Sequence, residues 1–141
     1  MDPLEAFVAR FSEFWANPRP ERMGELLSTD VLLKQPLSAP LQGLAAVEAE
    51  FRKILGWLPD LRGDVKRWNG AGDTLFIEFR LRATLAGRAY GWPVVDRFTL
   101  RGDKAIERVS YFDSLPLVLR ILRHPRAWRA WWRSGTARPW S

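Results

Sequence analysis

The chain has 141 residues, enough for one domain with a sizeable core, and a formal net charge of +6. It contains no cysteine and one histidine, His124, which excludes disulfides and argues against a Ser-His-Asp triad or a multi-histidine metal site. The excess charge lies at one end: no Asp or Glu follows Asp113, whereas six arginines do. Because the rest of the chain is neutral, a nucleic-acid-binding surface is not expected.

The first residues, MDPLEAFVARF, contain an acid where a secretory signal would have basic residues. No apolar run approaches the length that a membrane span needs. We therefore expect a cytoplasmic protein.

Three helices are predicted in the first half of the chain. Residues 4–15 place apolar side chains at helical spacing, and the sequence NPRP ends that pattern. A shorter helix is predicted at about 21–27, followed by a break at 28–30 and the strand-like sequence VLLKQPL. The third helix is predicted over residues 44–58.

From about Asp64 the pattern changes to four strand-forming segments, VKRW, TLFIEFRLRATL, WPVVDRFTL and AIERVSYFD. Turns predicted at Asn-Gly, residues 69–70, and Arg-Gly-Asp, residues 101–103, make these strands an antiparallel meander. Helices followed by a sheet favour an α+β domain in which a curved sheet wraps around the helices. We predict one domain over residues 1–122 and an Arg/Trp-rich C-terminal helical extension over 123–141.

Two stretches, DVLLKQPLSAPLQGLAAVEAEF and GRAYGWPVVDRFTLRGDKAIERVSYFD, resemble the SnoaL-like proteins of the nuclear transport factor 2-like superfamily. The resemblance covers about residues 5–120. It implies a cone-shaped, cystatin-like roll with an apolar cavity for a small hydrophobic molecule, and a homodimer formed through the sheet. Since this superfamily carries many unrelated functions on one pocket, the activity has to be argued from individual residues.

Within the superfamily, VVDRFTLRGDKAIERVSYF is similar to ketosteroid isomerase and places Asp96 at the acid that helps to form the oxyanion hole. Asp96 also shares strand parity with Trp92 and Phe98, so its carboxyl is predicted to face an apolar interior that favours the protonated form. The position of the isomerase base is Gln35, which cannot abstract a proton, and the phenol position is Phe11. Steroid isomerisation is therefore not expected.

The sequences GRAYGWPVVDRFTL and VSYFD resemble limonene epoxide hydrolase. This resemblance places Asp113 at the acid that activates water and Glu78 at the second acid, and Arg80 could replace the arginine that holds both. Gln35 then corresponds to a water-holding amide, and Leu33 stands at the position of its companion tyrosine.

Each acid also has a structural interpretation. Asp96 could pair with a neighbouring arginine such as Arg97 or Arg80. Asp113 could cap the apolar helix predicted directly after it. Glu78 and Arg80 alternate with apolar residues, as on a solvated strand face.

Two classes of function follow. The first is an enzyme that performs hydrolysis, isomerisation or cyclisation by acid/base chemistry, with no metal or cofactor and with Asp96 or Asp113 handling the proton. The second is a non-catalytic ligand-binding or dimerising module whose acids are structural. In both, the predicted substrate-binding residues are Gln35, Tyr111, Trp92, Phe11, Phe98 and Leu33.

The sequence RAWRAWWR, residues 126–133, predicts a helix with arginines on one side and tryptophans on the other. Pro125 suits its start and Gly135 its end. So short a helix is marginal alone in water, so its tryptophan face needs a partner. We expect that partner to be the protein itself, and keep an anionic membrane surface as the alternative. The residues concerned are Trp128, Trp131 and Trp132.

Overall fold

A computed structural model describes residues 2–137 of the chain. The helices are α1 (Pro3–Ala16), a 3₁₀ helix (Pro20–Glu25), α2 (Leu44–Trp57), α3 (Leu115–Leu122) and α4 (Pro125–Ser134). The strands are β1 (Leu27–Lys34), β2 (Leu41–Gln42), β3 (Arg62–Ala71), β4 (Thr74–Leu85), β5 (Arg88–Arg101) and β6 (Lys104–Tyr111). None of the helices within residues 2–137 is long and apolar enough to cross a membrane.

All six strands form one sheet in the order β2-β1-β6-β5-β4-β3. Strands β3 to β6 are the predicted antiparallel meander, and β1 joins it by running parallel to β6. The α+β class and the curved sheet around the helices are confirmed.

Helix α1 lies against the inner face of this sheet because its apolar side chains recur on one side. Phe7 and Phe11 are buried, and the Phe7 ring centroid lies 4.9 Å from that of Phe98. The ring of Phe11 contacts Phe79 edge to face at 5.0 Å. Each fully buried side chain of this size stabilises the fold by about 1.5–3 kcal/mol, so these contacts hold α1 in the sheet.

The predicted turn at Asn-Gly is wrong. Residues 69–70 lie inside β3, and the chain reverses at Gly72–Asp73, where Gly72 takes a φ of 62°. A side chain at Gly70 would place its Cβ 2.6 Å from the Thr74 carbonyl oxygen, so the glycine is required by the close approach of β4. The Arg-Gly-Asp turn is confirmed, since Arg101 pairs with Lys104 across it.

The region between α1 and α2 also differs from the prediction. The second helix is a single 3₁₀ segment that ends at Glu25, and residues 28–30 belong to β1 instead of breaking the chain. Pairing with β6 explains this, because Leu27 lies opposite Ala105 and carries the following residues into the sheet. The salt bridge from Asp30 to Arg101, at 2.9 Å, adds a contact to the meander.

Helix α4 begins at Pro125 and ends before Gly135, as predicted, and packs against α2 and α3. Trp131 is buried, as expected for a face that packs on the protein itself, whereas Trp128 and Trp132 are exposed. Beyond α4, the Thr136 hydroxyl donates a hydrogen bond to the Glu50 carboxylate on α2. The division into a domain over residues 1–122 and an extension over residues 123–141 stays a prediction. The last four residues of the extension, which include Arg138, lie outside the described residues.

Candidate functional site

A cavity of about 100 Å³ lies between the inner face of the sheet and the helices. Cavities of roughly 150 Å³ hold a single aromatic ring, so the space suits a small ligand. Its walls are mostly apolar, with aromatic side chains from both layers: Trp15, Phe51, Trp57, Phe79, Trp92 and Phe112. Polar side chains reach it at five positions: Gln35, Glu50, Arg108, Ser110 and Thr136.

Asp96, on β5, is fully buried and bonded by two residues of β6. Arg108 donates from Nε and Nη2 to Oδ2 of Asp96, at 2.8 and 2.7 Å. Ser110 donates from its hydroxyl to the other oxygen, Oδ1, at 2.6 Å. The Arg108 guanidinium also lies 5.8 Å from the ring centroid of Phe98 and 6.0 Å from that of Trp15. It is therefore held rigidly by one carboxylate and two aromatic rings.

Burial raises the pKa of the Asp96 carboxyl above its ordinary value, while the charge of Arg108 and the Ser110 hydroxyl oppose that rise. Asp96 itself does not line the cavity, whereas Arg108 and Ser110 do. The structure thus presents Arg108 to the cavity with N–H hydrogens that Asp96 does not accept, and keeps the carboxylate behind it. The single hydroxyl hydrogen of Ser110 is already donated to Asp96. The structural interpretation of Asp96, pairing with an arginine, is observed, but the partner is Arg108 and neither Arg97 nor Arg80.

Three predicted binding residues line the cavity: Gln35, Leu33 and Trp92. Two others, Phe11 and Phe98, belong to the buried core and border a smaller space of about 10 Å³, which Arg108 also reaches. They therefore support the wall of the main cavity from behind.

The residues assigned by resemblance to the epoxide hydrolase lie elsewhere, which corrects their predicted placement. Asp113 is exposed, and its Oδ1 accepts a 3.0 Å hydrogen bond from the backbone N–H of Leu115, the first residue of α3, while Ser114 occupies the N-cap position. Glu78 lies on the outer face of β4 and forms a 2.7 Å salt bridge with Arg67, and Arg80 is exposed on the same face. None of the three lines the cavity.

Tyr111 is likewise exposed on the outer face, and a single irregularity explains why. A bulge lies between the pairs Leu100–Ala105 and Thr99–Glu107, where Ile106 has no partner. One extra residue exchanges the two faces of the rest of β6.

An uninterrupted hairpin would have placed Val109 opposite Asp96 and turned Tyr111 and Asp113 inward. With the bulge, Ser110 lies opposite Asp96, and Arg108 shares its face. Sequence reasoning therefore missed Arg108 and Ser110. The sequence did contain one signal for them: Ser110 and Arg108 stand two and four residues before Phe112, so on a strand all three side chains lie on the same face.

Glu50 and Thr136 were missed for a different reason, since they come from α2 and from the end of the described chain. Among residues 2–137, Glu50 is the one acidic residue whose side chain lines the cavity, and this side chain is largely buried. No group of three or more His, Cys, Asp or Glu side chains within that range is arranged to hold a metal ion.

The structure resembles several solved proteins at low sequence identity. A protein from Jannaschia sp. CCS1, described as a SnoaL-like polyketide cyclase, aligns with a TM-score of 0.75 and 18% identity over 84% of this chain and 91% of that one. TerC, co-crystallised with polyporic acid, aligns with a TM-score of 0.76 and 17% identity over 86% of this chain and 99% of that one. A nuclear transport factor 2-like protein of unknown function from Burkholderia pseudomallei aligns with a TM-score of 0.77 and 18% identity over 86% of this chain and 98% of that one. These likenesses establish the fold.

A search of curated proteins finds no significant match. The model of the SnoaL-like domain family matches residues 8–108. This range includes strands β1 to β5, the first five residues of β6, both residues of the Asp96–Arg108 pair and most of the cavity wall. The chain therefore belongs to the SnoaL-like domain family and has its nuclear transport factor 2-like fold.

Proposed function

We propose that the cavity binds a small, largely apolar molecule whose carbonyl oxygen, or a similar acceptor, faces Arg108. The observation that carries this proposal is the Arg108 guanidinium on the cavity wall, which is held by the buried Asp96 and keeps N–H hydrogens that Asp96 does not accept. Apolar walls with a few fixed polar groups are typical of sites that select a hydrophobic ligand by its functional group.

Two further donors favour a ligand with acceptor oxygens. Among the described residues, the buried indole N–H groups of Trp15 and Trp92 have no hydrogen-bond acceptor, and both side chains line the cavity. An unpaired buried donor costs free energy, so a ligand oxygen would be favoured there. TerC, which shares the fold, was crystallised with polyporic acid.

The same geometry suits a reaction in which negative charge develops on the ligand oxygen. A fixed guanidinium in an apolar site stabilises an oxyanion more strongly than water does, because it needs no reorganisation when the charge forms. Isomerisation and cyclisation through an enolate both need that stabilisation. Asp96 then acts as a positioning residue, through Arg108.

Proton abstraction from carbon would fall to Glu50, the carboxylate on the cavity wall. Taking a proton from the carbon next to the carbonyl leaves its electron pair in the enolate, whose oxygen faces Arg108. The alternative is a non-catalytic binding module, in which Glu50 only holds Thr136.

Binding is tested with acetophenone and α-methylstyrene, which have nearly the same shape but differ in the carbonyl oxygen. Isothermal titration calorimetry should show that the protein prefers acetophenone by about tenfold or more, the value of a hydrogen bond to a charged group. The double variant Asp96→Leu/Arg108→Met should lose that preference. Both partners are replaced because Arg108→Met alone would leave a buried carboxylate unpaired.

The matched control is Arg97→Met/Glu107→Leu, which removes the 3.0 Å salt bridge on the outer face of the same strands. It should keep the preference. Equal affinity of the unaltered protein for the two compounds would refute the proposed role of Arg108.

Catalysis is tested separately by exchange of the acetophenone methyl protons in D₂O, followed by proton NMR. The enzyme hypothesis predicts exchange that Glu50→Gln abolishes. Binding without exchange above the buffer rate would leave the binding module as the function.

We also propose that two chains associate through the outer face of the sheet, as the family resemblance implies, and that the protein acts in the cytoplasm. Two exposed aromatic side chains on this face support association: Phe76 and Tyr111. Light scattering after size exclusion should give a dimer, and Phe76→Glu should shift it to a monomer. A monomer at all concentrations would refute the association.

A further inference from the structure

Helix α3 presents a stripe of leucines to solvent. Leu115, Leu119 and Leu122 are 60%, 37% and 48% exposed, and at four- and three-residue spacing they share one face of the helix. The opposite face carries Leu117 and Ile121, which are buried. The exposed stripe is thus additional to the face that α3 needs for packing.

Helix α4 continues this apolar region. Trp128 and Trp132, one turn apart, are 46% and 53% exposed. The Trp128 indole donates a 2.8 Å hydrogen bond to the backbone carbonyl of Ile121, so it lies against the end of α3, next in the chain to Leu122. We use the name α3–α4 surface for the exposed leucines of α3, the exposed tryptophans of α4 and four exposed arginines: Arg123, Arg126, Arg129 and Arg133.

Positive charge accompanies these apolar side chains. Arg123, Arg126, Arg129 and Arg133 are exposed, and no salt bridge to any of them is found within residues 2–137. No acid follows Asp113 in the sequence. On α4 the arginines fall within about 60° of one another, opposite the buried Trp131. The α3–α4 surface is therefore apolar and cationic together.

We propose that the α3–α4 surface binds the surface of an anionic lipid bilayer. Indole rings seat at the level of the headgroups, leucines enter the acyl region, and arginines bind lipid phosphates and carboxylates. A second copy of the chain fits less well, because two such faces would bring like charges together. A nucleic acid would use the arginines but would leave the leucine stripe in water.

The α3–α4 surface also adjoins the cavity. Leu117 of α3 lines the cavity wall, as do Thr136 and Ala137, which follow α4. Contact with a bilayer would therefore bring this part of the cavity wall close to apolar molecules that are dissolved in the lipid. The proposal does not depend on the function proposed for the cavity.

The test is co-sedimentation of the full-length protein with vesicles of phosphatidylcholine alone or with about 30% phosphatidylserine. We expect pelleting with the anionic vesicles, loss of pelleting at high salt, and little binding to the neutral vesicles. Arg126→Gln/Arg129→Gln/Arg133→Gln should lower the partition coefficient by about tenfold or more. Leu119→Ser/Leu122→Ser should weaken binding even at low salt.

The matched control is Arg19→Gln/Lys34→Gln/Lys66→Gln, which removes the same charge from exposed residues elsewhere and should bind as the unaltered protein does. Circular dichroism checks that all variants fold. Failure to bind anionic vesicles at low salt, or an equal loss of binding in the control, would overturn the proposal. So would a dimer that Leu119→Ser/Leu122→Ser dissociates, since a second copy would then cover this surface.

Discussion

Ser110 lies directly opposite Asp96 across strands β5 and β6, and its hydroxyl donates a 2.6 Å hydrogen bond to the Asp96 carboxylate. With Arg108 on the other oxygen, this bond links two cavity-lining residues to one buried carboxylate. The position of the polar end of the cavity therefore depends on the register of a single pair of strands.

Removing the Ser110 hydroxyl should destabilise the protein. Ser110→Ala leaves one oxygen of a buried carboxylate without a donor, which costs about 1–3 kcal/mol in the free energy of unfolding. Urea denaturation followed by tryptophan fluorescence measures this change. Ser38→Ala, an exposed position whose hydroxyl bonds only to the neighbouring Ala39 carbonyl, should change the free energy much less. Equal effects of the two variants would contradict the assigned role.

Stability should depend on the titration of Asp96. Burial raises the pKa of this carboxyl in the folded state, so the folded protein holds the proton more tightly than the unfolded chain does. Its contribution is fully present below the ordinary aspartate pKa of about 4 and is lost as pH rises through the raised folded value. The free energy of unfolding should therefore fall across that window relative to Asp96→Asn, which does not titrate. Urea titrations at a series of pH values measure the difference, and a constant difference would argue against the raised pKa.

The number of residues between the β5–β6 turn and Arg108 should decide which side chains of β6 reach Asp96. Deleting Ile106 removes the unpaired residue and leaves Arg108 and Ser110 beside Asp96, because its two neighbours already pair with consecutive residues of β5. We expect this variant to unfold cooperatively. Deleting Ile106 and Glu107 together shifts the register by one residue and turns Arg108 outward, which leaves a buried charge unpaired at a cost of about 3–5 kcal/mol. Thermal unfolding of the second variant should lose its cooperativity, and equal melting of the two variants would contradict the assigned register.

The bond between Thr136 and Glu50 should hold the end of the described chain against α2. Thr136→Val removes the donor, so the last turns of α4 and the segment after them should open more often and expose the peptide bonds after Arg129 and Arg133 to trypsin. We expect cleavage there to quicken by about fivefold, the effect of losing roughly 1 kcal/mol. Mass spectrometry of the fragments measures the rate. Thr84→Val breaks a comparable bond, to Asp60, and should leave cleavage at these sites unchanged.

Much of the molecule follows from local spacing in the sequence. Helical spacing in residues 4–15 predicts the face that α1 buries, and alternation on β4 and β5 separates buried residues such as Phe79 and Asp96 from outward ones such as Glu78. These patterns can be read locally, because burial of apolar side chains imposes the period of each element. The resemblance to SnoaL-like proteins then supplied the cone-shaped arrangement.

Pairing between distant segments decided the rest. The parallel addition of β1 to β6 carried residues 28–30 into the sheet, although their side chains favour a break. One unpaired residue, Ile106, determined whether Arg108 and Ser110 or Tyr111 and Asp113 would face the cavity. No local period encodes such a bulge, because its position is set by how both strands fit the core and the neighbouring sheet at once. The apolar faces of the helices and strands were thus determined by the sequence pattern, and the polar groups of the cavity were decided by the tertiary structure.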